Sequence, residues 1–389
     1  MQQARRVGVL RFAEGTTAAT TAATGATAAT AAPAVLSALA VLSVLAVLSA
    51  LALLPGCSLE EHYKYSETSM ETKALSVEGI QKVEMRLGAA DIDVVTKEGP
   101  EVEFIIKKTY RASEEAYGKK LLREAVVSIE RDGSTLVVQR KESGRINPDM
   151  LLKGYVSIEI TATVPAGIAL DFLTGSGDLK IDDRSAAIAI RSGSGDVTVG
   201  SAGAGFDMRS GSGDVRLQSA RGMVKASTGS GDIFLGTIEG NAEVSTGSGE
   251  INIESILGDL SLGTGSGDIT VAASRGMASV KTGSGDIEFR GHGGSADVVA
   301  SSGDLEFGVS GSEGNVDLRT SSGEIYVIFY AAESAELDIT TMTGTITSKI
   351  PIVVKEASRR HLVGIAGSGQ LKLRIETNSG SVSVTRGSV

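Results

Sequence analysis

Apolar and polar residues alternate along most of this chain, and the alternation restarts at a fixed interval. Each restart follows a glycine that recurs every 18 residues. These glycines are Gly177, Gly195, Gly213, Gly231, Gly249, Gly267, Gly285 and Gly303. Apolar residues two positions apart, with polar residues between them, are typical of a β-strand with one buried face. The fixed period predicts a solenoid in which each repeat forms one rung.

Each rung is predicted to contain two short strands. In the rung of Gly177, the apolar positions are Leu179 and Ile181 for the first strand and Ile190 for the second. A second column of glycines marks the turn between the strands: Gly222, Gly240, Gly258, Gly276 and Gly294. Because one rung cannot bury its apolar side chains alone, neighbouring rungs must stack in parallel, about 4.8 Å apart.

A column of hydroxyl side chains accompanies the repeat, fifteen positions after each glycine. Its members are Ser192, Ser210, Thr228, Thr246, Thr264 and Thr282. The alternation places them on the inward side near a corner. There they are predicted to form hydrogen bonds with main-chain groups of the turn.

The pattern therefore predicts an all-β fold, a single-stranded β-solenoid (β-helix-like) with 18-residue rungs of two short strands. The regular repeats occupy residues 171–325. Residues 79–170 are predicted to form an N-terminal β capping unit, with a degenerate rung at 88–94 and one short helix capped by Ser113. Residues 326–389 are predicted to hold irregular rungs and a cap, with an irregular excursion at 349–364 and a closing rung at 371–384.

The N-terminal segment has the pattern of an export signal. Arg5, Arg6 and Arg11 precede an apolar run over residues 34–54, which ends in Pro55-Gly56-Cys57. A basic start, an apolar run and a small residue before the cleavage point are typical of a secretory signal. With cysteine directly after the small residue, the segment resembles a bacterial lipoprotein signal with its lipobox.

That resemblance implies that residues 1–56 are removed and that Cys57 becomes the lipidated first residue. Residues 57–78 would then be a tether between the lipid and the solenoid. The alternative is an uncleaved signal anchor, because the apolar run is about long enough to span a bilayer. Both interpretations place the remaining chain outside the cytoplasmic membrane, in the cell envelope.

Composition limits the possible functions. The chain has 389 residues, 49 of them glycine, with no tryptophan and a net charge of −10. The acidic balance argues against a nucleic-acid partner, since phosphate contacts need clustered lysine and arginine. The single cysteine excludes an intrachain disulfide.

An acidic column follows the repeated glycines and is the most suggestive chemical feature. It consists of Asp178, Asp196, Asp214, Asp232, Glu250, Asp268, Asp286 and Asp304. A row of carboxylates could bind Ca²⁺, which takes oxygen ligands. The alternative is that each carboxylate accepts main-chain N–H groups of its own turn and faces solvent. No other cofactor is indicated.

Nothing in the repeat points to catalysis. A glycosidase needs two carboxylates flanking one bond, and such a site should break the repeat locally. The outward positions show no such focus: Lys180, Thr198, Arg216, Phe234, Asn252, Thr270, Glu288 and Glu306. His62, His292 and His361 lie far apart in sequence. A carbohydrate-active β-helix enzyme is therefore the least favoured class.

The run Val164-Pro165-Ala166-Gly167-Ile168 leads into Thr174-Gly175-Ser176-Gly177-Asp178, and Asn378-Ser379-Gly380-Ser381-Val382 follows the later repeats. With the recurring Ser-Gly-Asp turns, this resembles the "putative adhesin" family of bacterial β-strand-repeat proteins, a domain-of-unknown-function family. The resemblance covers residues 80–389. It implies the fold and brings no catalytic residues with it.

These observations favour a non-catalytic, membrane-anchored lipoprotein of the cell envelope. It would present a rigid surface for adhesion or for binding a protein or glycan partner. The alternative is a structural envelope protein that assembles end to end, as do the polymerising bactofilins, which also resemble short-rung β-helices.

Overall fold

The computed structural model describes residues 63–141, 153–330 and 334–387, and within these ranges it is β-structure with one short helix, α1 (Glu115–Glu124). The strands before the repeats are β1 (Tyr65–Ser76), β2 (Lys82–Ala89), β3 (Asp91–Thr96), β4 (Glu101–Ala112), β5 (Val127–Asp132), β6 (Thr135–Arg140) and β7 (Gly154–Val164). The strands of the repeats are β8 (Ala169–Ser176), β9 (Leu179–Ile181), β10 (Ile188–Ser192), β11 (Val197–Ala202), β12 (Gly205–Ser212), β13 (Val215–Ala220), β14 (Met223–Ser230), β15 (Ile233–Ile238), β16 (Ala242–Thr246), β17 (Ile251–Ile256), β18 (Leu260–Thr264), β19 (Ile269–Ser274), β20 (Ala278–Ser284), β21 (Ile287–His292), β22 (Ala296–Ser302), β23 (Leu305–Val309), β24 (Gly314–Ser322) and β25 (Ile325–Phe329). The later strands are β26 (Ala335–Thr341), β27 (Ile346–Ser348), β28 (Val353–Ala357), β29 (His361–Ala366), β30 (Leu371–Ser379) and β31 (Val382–Arg386).

Two long sheets share these strands, and each rung contributes one strand to each sheet. In sheet A the order is β1, β4, β7, β3, β9, the odd-numbered strands from β11 to β25, then β31 and β27. In sheet B the order is β28, β29, β26, β30, the even-numbered strands from β24 down to β8, then β2, β6 and β5. The all-β fold of stacked, two-strand rungs is therefore confirmed.

The 18-residue period sets the register between rungs. Val197 pairs with Val215, which pairs with Ile233, which pairs with Ile251, all in parallel. Each apolar side chain thus stacks on its equivalent in the next rung, and Ile233 and Ile251 are fully buried. The inward residues of both sheets join one continuous apolar core.

The glycine of each Ser-Gly-Asp corner has no room for a side chain. A Cβ added to Gly249 would overlap the carbonyl oxygen of Gly231, and one added to Gly267 would overlap that of Gly249. Gly177, Gly195 and Gly213 also have φ between +107° and +121°, where other residues are strained. The repeated glycine is therefore required by the close approach of successive main chains.

The degenerate rung before the repeats is present as predicted. Strands β2 and β3 stack directly on β8 and β9, with Lys82 opposite Ala169 and Ile92 opposite Leu179. The solenoid therefore begins at residue 82, although residues 97–168 separate this rung from the next. The insertion adds β4 and β7 to sheet A and the β5–β6 hairpin to sheet B.

Helix α1 packs on β1, β4 and β7, but the predicted cap is wrong. The N-cap residue is Glu114, without a capping side-chain bond, because the Ser113 hydroxyl donates to the Lys153 carbonyl at 3.2 Å. Gly118, which weakens the helix by propensity, lies against the ring of Tyr110, and a Cβ there would overlap that ring. Close packing of helix on sheet therefore explains this glycine.

The predicted tether at 57–78 is wrong over most of its length. Strand β1 pairs antiparallel with β4 over all twelve of its residues, from Tyr65 opposite Ala112 to Ser76 opposite Glu101. The strand lies at the edge of sheet A and its side chains are exposed or half-buried. It therefore lacks the apolar alternation of the other strands. Main-chain hydrogen bonds to β4 keep it in the sheet.

The predicted order of the C-terminal rungs is also wrong. Strands β30 and β31 do not close the stack but lie between earlier rungs, since Leu371 pairs with Gly314 on one side and with Ala335 on the other. The rung of β26 and β27 is outermost. The excursion at 349–364 contains β28 and β29, an antiparallel pair that extends sheet B, and Ile350 is buried against the core.

A buried arginine stabilises the turn that leads into the repeats. The guanidinium of Arg184 donates to the carbonyl of Val164 at 2.7 Å and to that of Ile168 at 2.7 Å, and Pro165 supplies a further acceptor. Burial lowers the pKa of Arg184 to about 10. The residue therefore satisfies carbonyl groups of a turn that has no strand partner of its own.

We expect the Gly249→Ala substitution to lower the free energy of unfolding by about 3 kcal/mol, because the overlap is with main chain that cannot move aside. The matched control is Gly263→Ala in β18, where an added Cβ meets nothing within 4 Å. That variant should be neutral or slightly more stable, since glycine weakens a strand interior. Urea unfolding of the two full-length variants measures both values; equal losses would contradict this account of the corner.

Candidate functional site

The acidic column lies along one corner of the solenoid, and its side chains are exposed. In each aspartate of the column the Oδ1 atom accepts the main-chain N–H of the acidic residue in the following rung. The Asp178 carboxylate accepts from Asp196 at 2.9 Å, and that of Asp196 accepts from Asp214 at 2.9 Å. The same bond recurs at Asp214, Asp232, Asp268, Asp286 and Asp304.

Main-chain bonds run the other way at the same corner. The Leu179 N–H donates to the carbonyl of Asp196 at 2.9 Å, and the Val197 N–H donates to that of Asp214 at 2.8 Å. Each acidic residue is thus both donor and acceptor for its neighbours. The prediction that these carboxylates face solvent and accept main-chain N–H groups is correct, but the donor belongs to the next rung rather than to the same turn.

The ladder extends beyond the predicted column at its start and is interrupted once within it. Asp91, in the degenerate rung, accepts the Asp178 N–H at 3.0 Å. Among the described residues, no such bond joins the Glu250 side chain to Asp268, because the longer glutamate side chain does not reproduce the aspartate geometry. The corner therefore carries one carboxylate ladder in two segments.

A second, shorter ladder lies at the opposite corner, and sequence reasoning missed it. The Asn241 side chain accepts the Asp259 N–H at 2.9 Å, and the Asp259 carboxylate accepts the Met277 N–H at 2.9 Å. Asn241 and Asp259 each follow a glycine of the second column directly. A short polar residue directly after a corner glycine also marks the Ser-Gly-Asp corner. This shared position was the sequence signal that could have revealed the second ladder.

The hydroxyl column acts at the first corner as predicted. The Thr246 hydroxyl donates to the carbonyl of Gly231 at 3.1 Å and accepts the N–H of Gly249 at 3.2 Å. Thr228, Thr246, Thr264 and Thr282 are buried, whereas Ser192 and Ser210 are half-buried or nearly so. The column members other than Thr282 thus donate to main-chain carbonyls of the turn, whereas the buried Thr282 hydroxyl has no hydrogen-bond partner among the described residues.

The geometry of the acidic column favours a structural role over metal binding. Within the described ranges, no three carboxylate, histidine or cysteine side chains come together in an arrangement that could hold a metal ion. One oxygen of every aspartate in the column already accepts a main-chain N–H. The calcium hypothesis stays a prediction to be tested.

The three histidines are not brought together. His62 lies outside the described residues. His361 is 3.0 Å from the Asp338 carboxylate at the surface, whereas His292 is buried in the core beside Phe289 and Phe307. These positions give no support to a shared histidine site.

His292 forms a buried polar pair with Ser274 in the rung below. The Ser274 hydroxyl lies 2.8 Å from Nδ1, and Nε2 lies 3.1 Å from the carbonyl of Ser295. The Nε2–H tautomer satisfies both contacts, with Nδ1 as acceptor. Burial lowers the pKa of His292, and contacts with the carbonyls of Ser295 and Gly294 partly oppose this.

The outward face of sheet A has no cluster of catalytic type at the predicted outward positions. The guanidinium of Arg216 lies 5.2 Å from the ring centre of Phe234 in the next rung, which is a cation–π contact. Farther along, Arg290 forms an ion pair with Glu288 at 2.7 Å. Arg216 and Glu288 on this face are thus engaged with neighbouring side chains.

Shallow grooves are present on the surface of the described residues, and two of them carry charged side chains. The first, of about 350 Å³, lies on β1, β4 and β7 and is lined by Lys107, Arg111, Tyr155 and Glu159, among others. The second, of about 510 Å³, lies at the far end of the stack beside β27 and includes Arg359 and Arg360. Sequence reasoning noted the arginine pair but could not place it beside a strand edge.

Comparison with protein families identifies the fold family. The family model described as Toastrack DUF4097 matches residues 154–239 and 237–385, which together exceed half of the chain. The chain belongs to the Toastrack DUF4097 family. The match runs from β7 through nearly all of β31, so β1 to β6 and α1 lie outside the Toastrack region.

Several solved structures are similar to this chain at low sequence identity. A "putative adhesin" from Bacteroides fragilis is 13% identical, covering 81% of this chain and 97% of that chain, with a TM-score of 0.30. A "putative lipid binding protein" from Parabacteroides distasonis is 14% identical, covering 82% and 97%, with a TM-score of 0.29. Because these identities and TM-scores are low, the family assignment rests on the family model and not on the solved structures.

No curated protein matches this Toastrack chain. The predicted lipidation residue, Cys57, lies outside the described residues. Within the described part of the chain, no helix combines the length and apolarity that a bilayer span requires.

We expect Asp232→Ala to have a free energy of unfolding about 0.5–1.5 kcal/mol below that of Asp232→Asn, because both variants remove the charge and only asparagine keeps an acceptor for the ladder. Asp232→Asn keeps an oxygen acceptor and relieves repulsion of about 1 kcal/mol from each neighbouring carboxylate at low salt. It should therefore be neutral or stabilising. Thermal unfolding of both full-length variants, with millimolar Ca²⁺ and with chelator, tests this; a large calcium-dependent rise in the wild-type midpoint would instead support metal binding.

Burial of His292 should make stability depend on pH. Its lowered pKa means that the stabilising contribution of the neutral imidazole is complete above about pH 6.5, the ordinary histidine value, and is lost as pH falls below it. The control is the double variant Ser274→Ala/His292→Ile. It replaces the polar pair with alanine and isoleucine, the residues that earlier rungs have at the equivalent positions, Ala220 and Ile238. The drop in thermal midpoint from pH 8 to pH 5 should be smaller in the control; equal drops would contradict the assignment.

Proposed function

We propose that this Toastrack protein is a non-catalytic lipoprotein of the bacterial cell envelope that presents its β-solenoid surface for adhesion or partner binding. The observation that carries the proposal is the unbroken parallel register from β8 to β22, in which equivalent residues of successive rungs pair. Such a stack forms an extended, rigid surface, and surfaces of this kind suit binding through many contacts.

The arrangement of carboxylates supports a role without catalysis. At the acidic corner, the same geometry recurs in each rung, and the aspartates bond to main chain rather than converging on a common point. Acid–base hydrolysis of a glycosidic bond requires two carboxylates in different environments on either side of the bond. A repeated ladder supplies identical environments.

The position of β1 supports anchoring close to the membrane. Strand β1 begins at Tyr65, only eight residues after Cys57. Eight residues reach no more than about 28 Å even when fully extended. A lipid on Cys57 would therefore lie within that distance of the first residue of β1.

Labelled fatty acid should be incorporated into the full-length wild-type protein in producing cells and not into Cys57→Ser. Absence of label from the wild type would overturn lipidation and leave the uncleaved anchor.

Adhesion is tested by a second measurement. Cells with the wild-type protein should be retained on surfaces coated with envelope fragments more than cells that lack it. Equal retention would count against adhesion to the envelope, and large assemblies in light scattering would favour the self-assembling alternative.

A further inference from the structure

Sheet A ends in an unpaired edge at β27. On its inner side, the Thr345 carbonyl accepts the Val382 N–H at 2.9 Å, and the Lys349 N–H donates to Val384 at 2.8 Å. Main-chain groups of successive residues in a strand point to opposite sides, so Ile346 and Ser348 direct theirs away from β31. No strand lies beyond β27 in the described residues. The edge is thus able to pair with an extended chain.

A groove of about 510 Å³ lies at the start of this edge, where β27 contributes Ile346 to the lining. It is lined by Thr343, Thr345 and Ile346 on one side and by Ser358, Arg359 and Arg360 on the other. None of its lining residues is acidic. The groove therefore combines unpaired main-chain groups with two cationic side chains.

The turn that carries the arginines is held in place. The Ser358 hydroxyl accepts the N–H of Arg360 at 3.2 Å and that of His361 at 3.0 Å. The Arg360 carbonyl accepts the Thr341 N–H at 2.9 Å, which joins the turn to the outermost rung. The main chain below the two guanidinium groups is therefore fixed relative to β27.

The charges next to the two arginines are paired, whereas no described residue pairs with the arginines themselves. Lys355 contacts Glu336 at 3.0 Å, and His361 contacts Asp338 at 3.0 Å and Glu356 at 3.6 Å. Among the described residues, the guanidinium groups of Arg359 and Arg360 have no ion-pair or hydrogen-bond partner. The chain as a whole has a net charge of −10, so these two cationic side chains form a positive patch on an acidic protein. Such a patch favours an anionic ligand.

We propose that this groove binds an extended acidic polypeptide segment, which adds a strand to β27 and places its carboxylates on Arg359 and Arg360. Strand addition supplies affinity through main-chain bonds, and arginine pairs with carboxylates through two parallel hydrogen bonds. A phosphate group would use the arginines and leave the edge of β27 unpaired. The inference rests on the proposed function of partner binding and names the class of partner.

The test uses the full-length protein in detergent micelles and a fluorescent decapeptide of alternating glutamate and threonine. Fluorescence anisotropy should show saturable binding to the wild type and none for a lysine–threonine decapeptide. Arg359→Gln/Arg360→Gln should weaken binding at least tenfold. The matched control is Arg191→Gln/Arg209→Gln, which removes the same charge from exposed arginines of sheet B and should change binding less than twofold.

The contribution of the edge is tested separately. Ser348→Pro removes an outward N–H and should weaken binding at least tenfold, whereas Ser348→Ala removes only the hydroxyl and should bind as the wild type does. The thermal midpoint of each variant shows whether it is folded. If Ser348→Pro does not fold, Arg359→Gln/Arg360→Gln still tests the proposal.

Several outcomes would overturn the proposal. Equal weakening in the two double-arginine variants would indicate bulk charge, and wild-type affinity in folded Ser348→Pro would exclude strand addition. Displacement of the peptide by millimolar inorganic phosphate, or stronger binding to phosphatidylglycerol vesicles, would assign the groove to phosphate or membrane. Lack of peptide binding by the wild type would refute this inference alone, since envelope adhesion and lipid labelling are measured independently.

Discussion

Main-chain hydrogen bonding between stacked rungs is the interaction on which this structure depends. A rung of 18 residues has too few apolar side chains to bury them by itself, so each rung becomes stable only when a second lies above it and a third below. The required spacing is that of paired strands. Corners must then approach as closely as strands do, which is why Gly231, Gly249 and Gly267 leave no space for a side chain.

The same spacing explains the acidic corner, which would otherwise be unfavourable. Carboxylates about 4.8 Å apart repel one another, and a neutral column would avoid that cost. Aspartate has the reach to accept an N–H from the next rung, and the exposed corner lets water screen the charge. Asn241 and Asp259 do the same at the opposite corner. Short polar side chains after a corner glycine thus act as links between rungs.

Sequence periodicity determined the parts of the fold that repeat and failed where contacts do not depend on the repeat. The columns of apolar, glycine and hydroxyl residues predicted two strands per rung, the corners and the inward threonines. The pattern could not reveal β1, because an edge strand with exposed faces needs no apolar alternation. It could not identify Arg184 as the support of the 164–168 turn, since the two are distant along the chain. It also could not order the later rungs, because residues 335–339 and 371–375 carry the same alternation and either could stack on β24. The groove depends on that order and on the fold of 349–364, so only its arginines were visible in advance.

The insertion of β30 and β31 between two rungs that precede them along the chain has a consequence for assembly. A solenoid whose rungs stack in chain order can be completed progressively, one rung after another along the polypeptide. Here the surface of β24 and β25 stays uncovered until β30 and β31 arrive, and the rung of β26 and β27 has nothing to stack on before then. The far end of the stack must therefore form in one late cooperative step, which keeps this region open to chaperones and proteases longer than the rungs behind it.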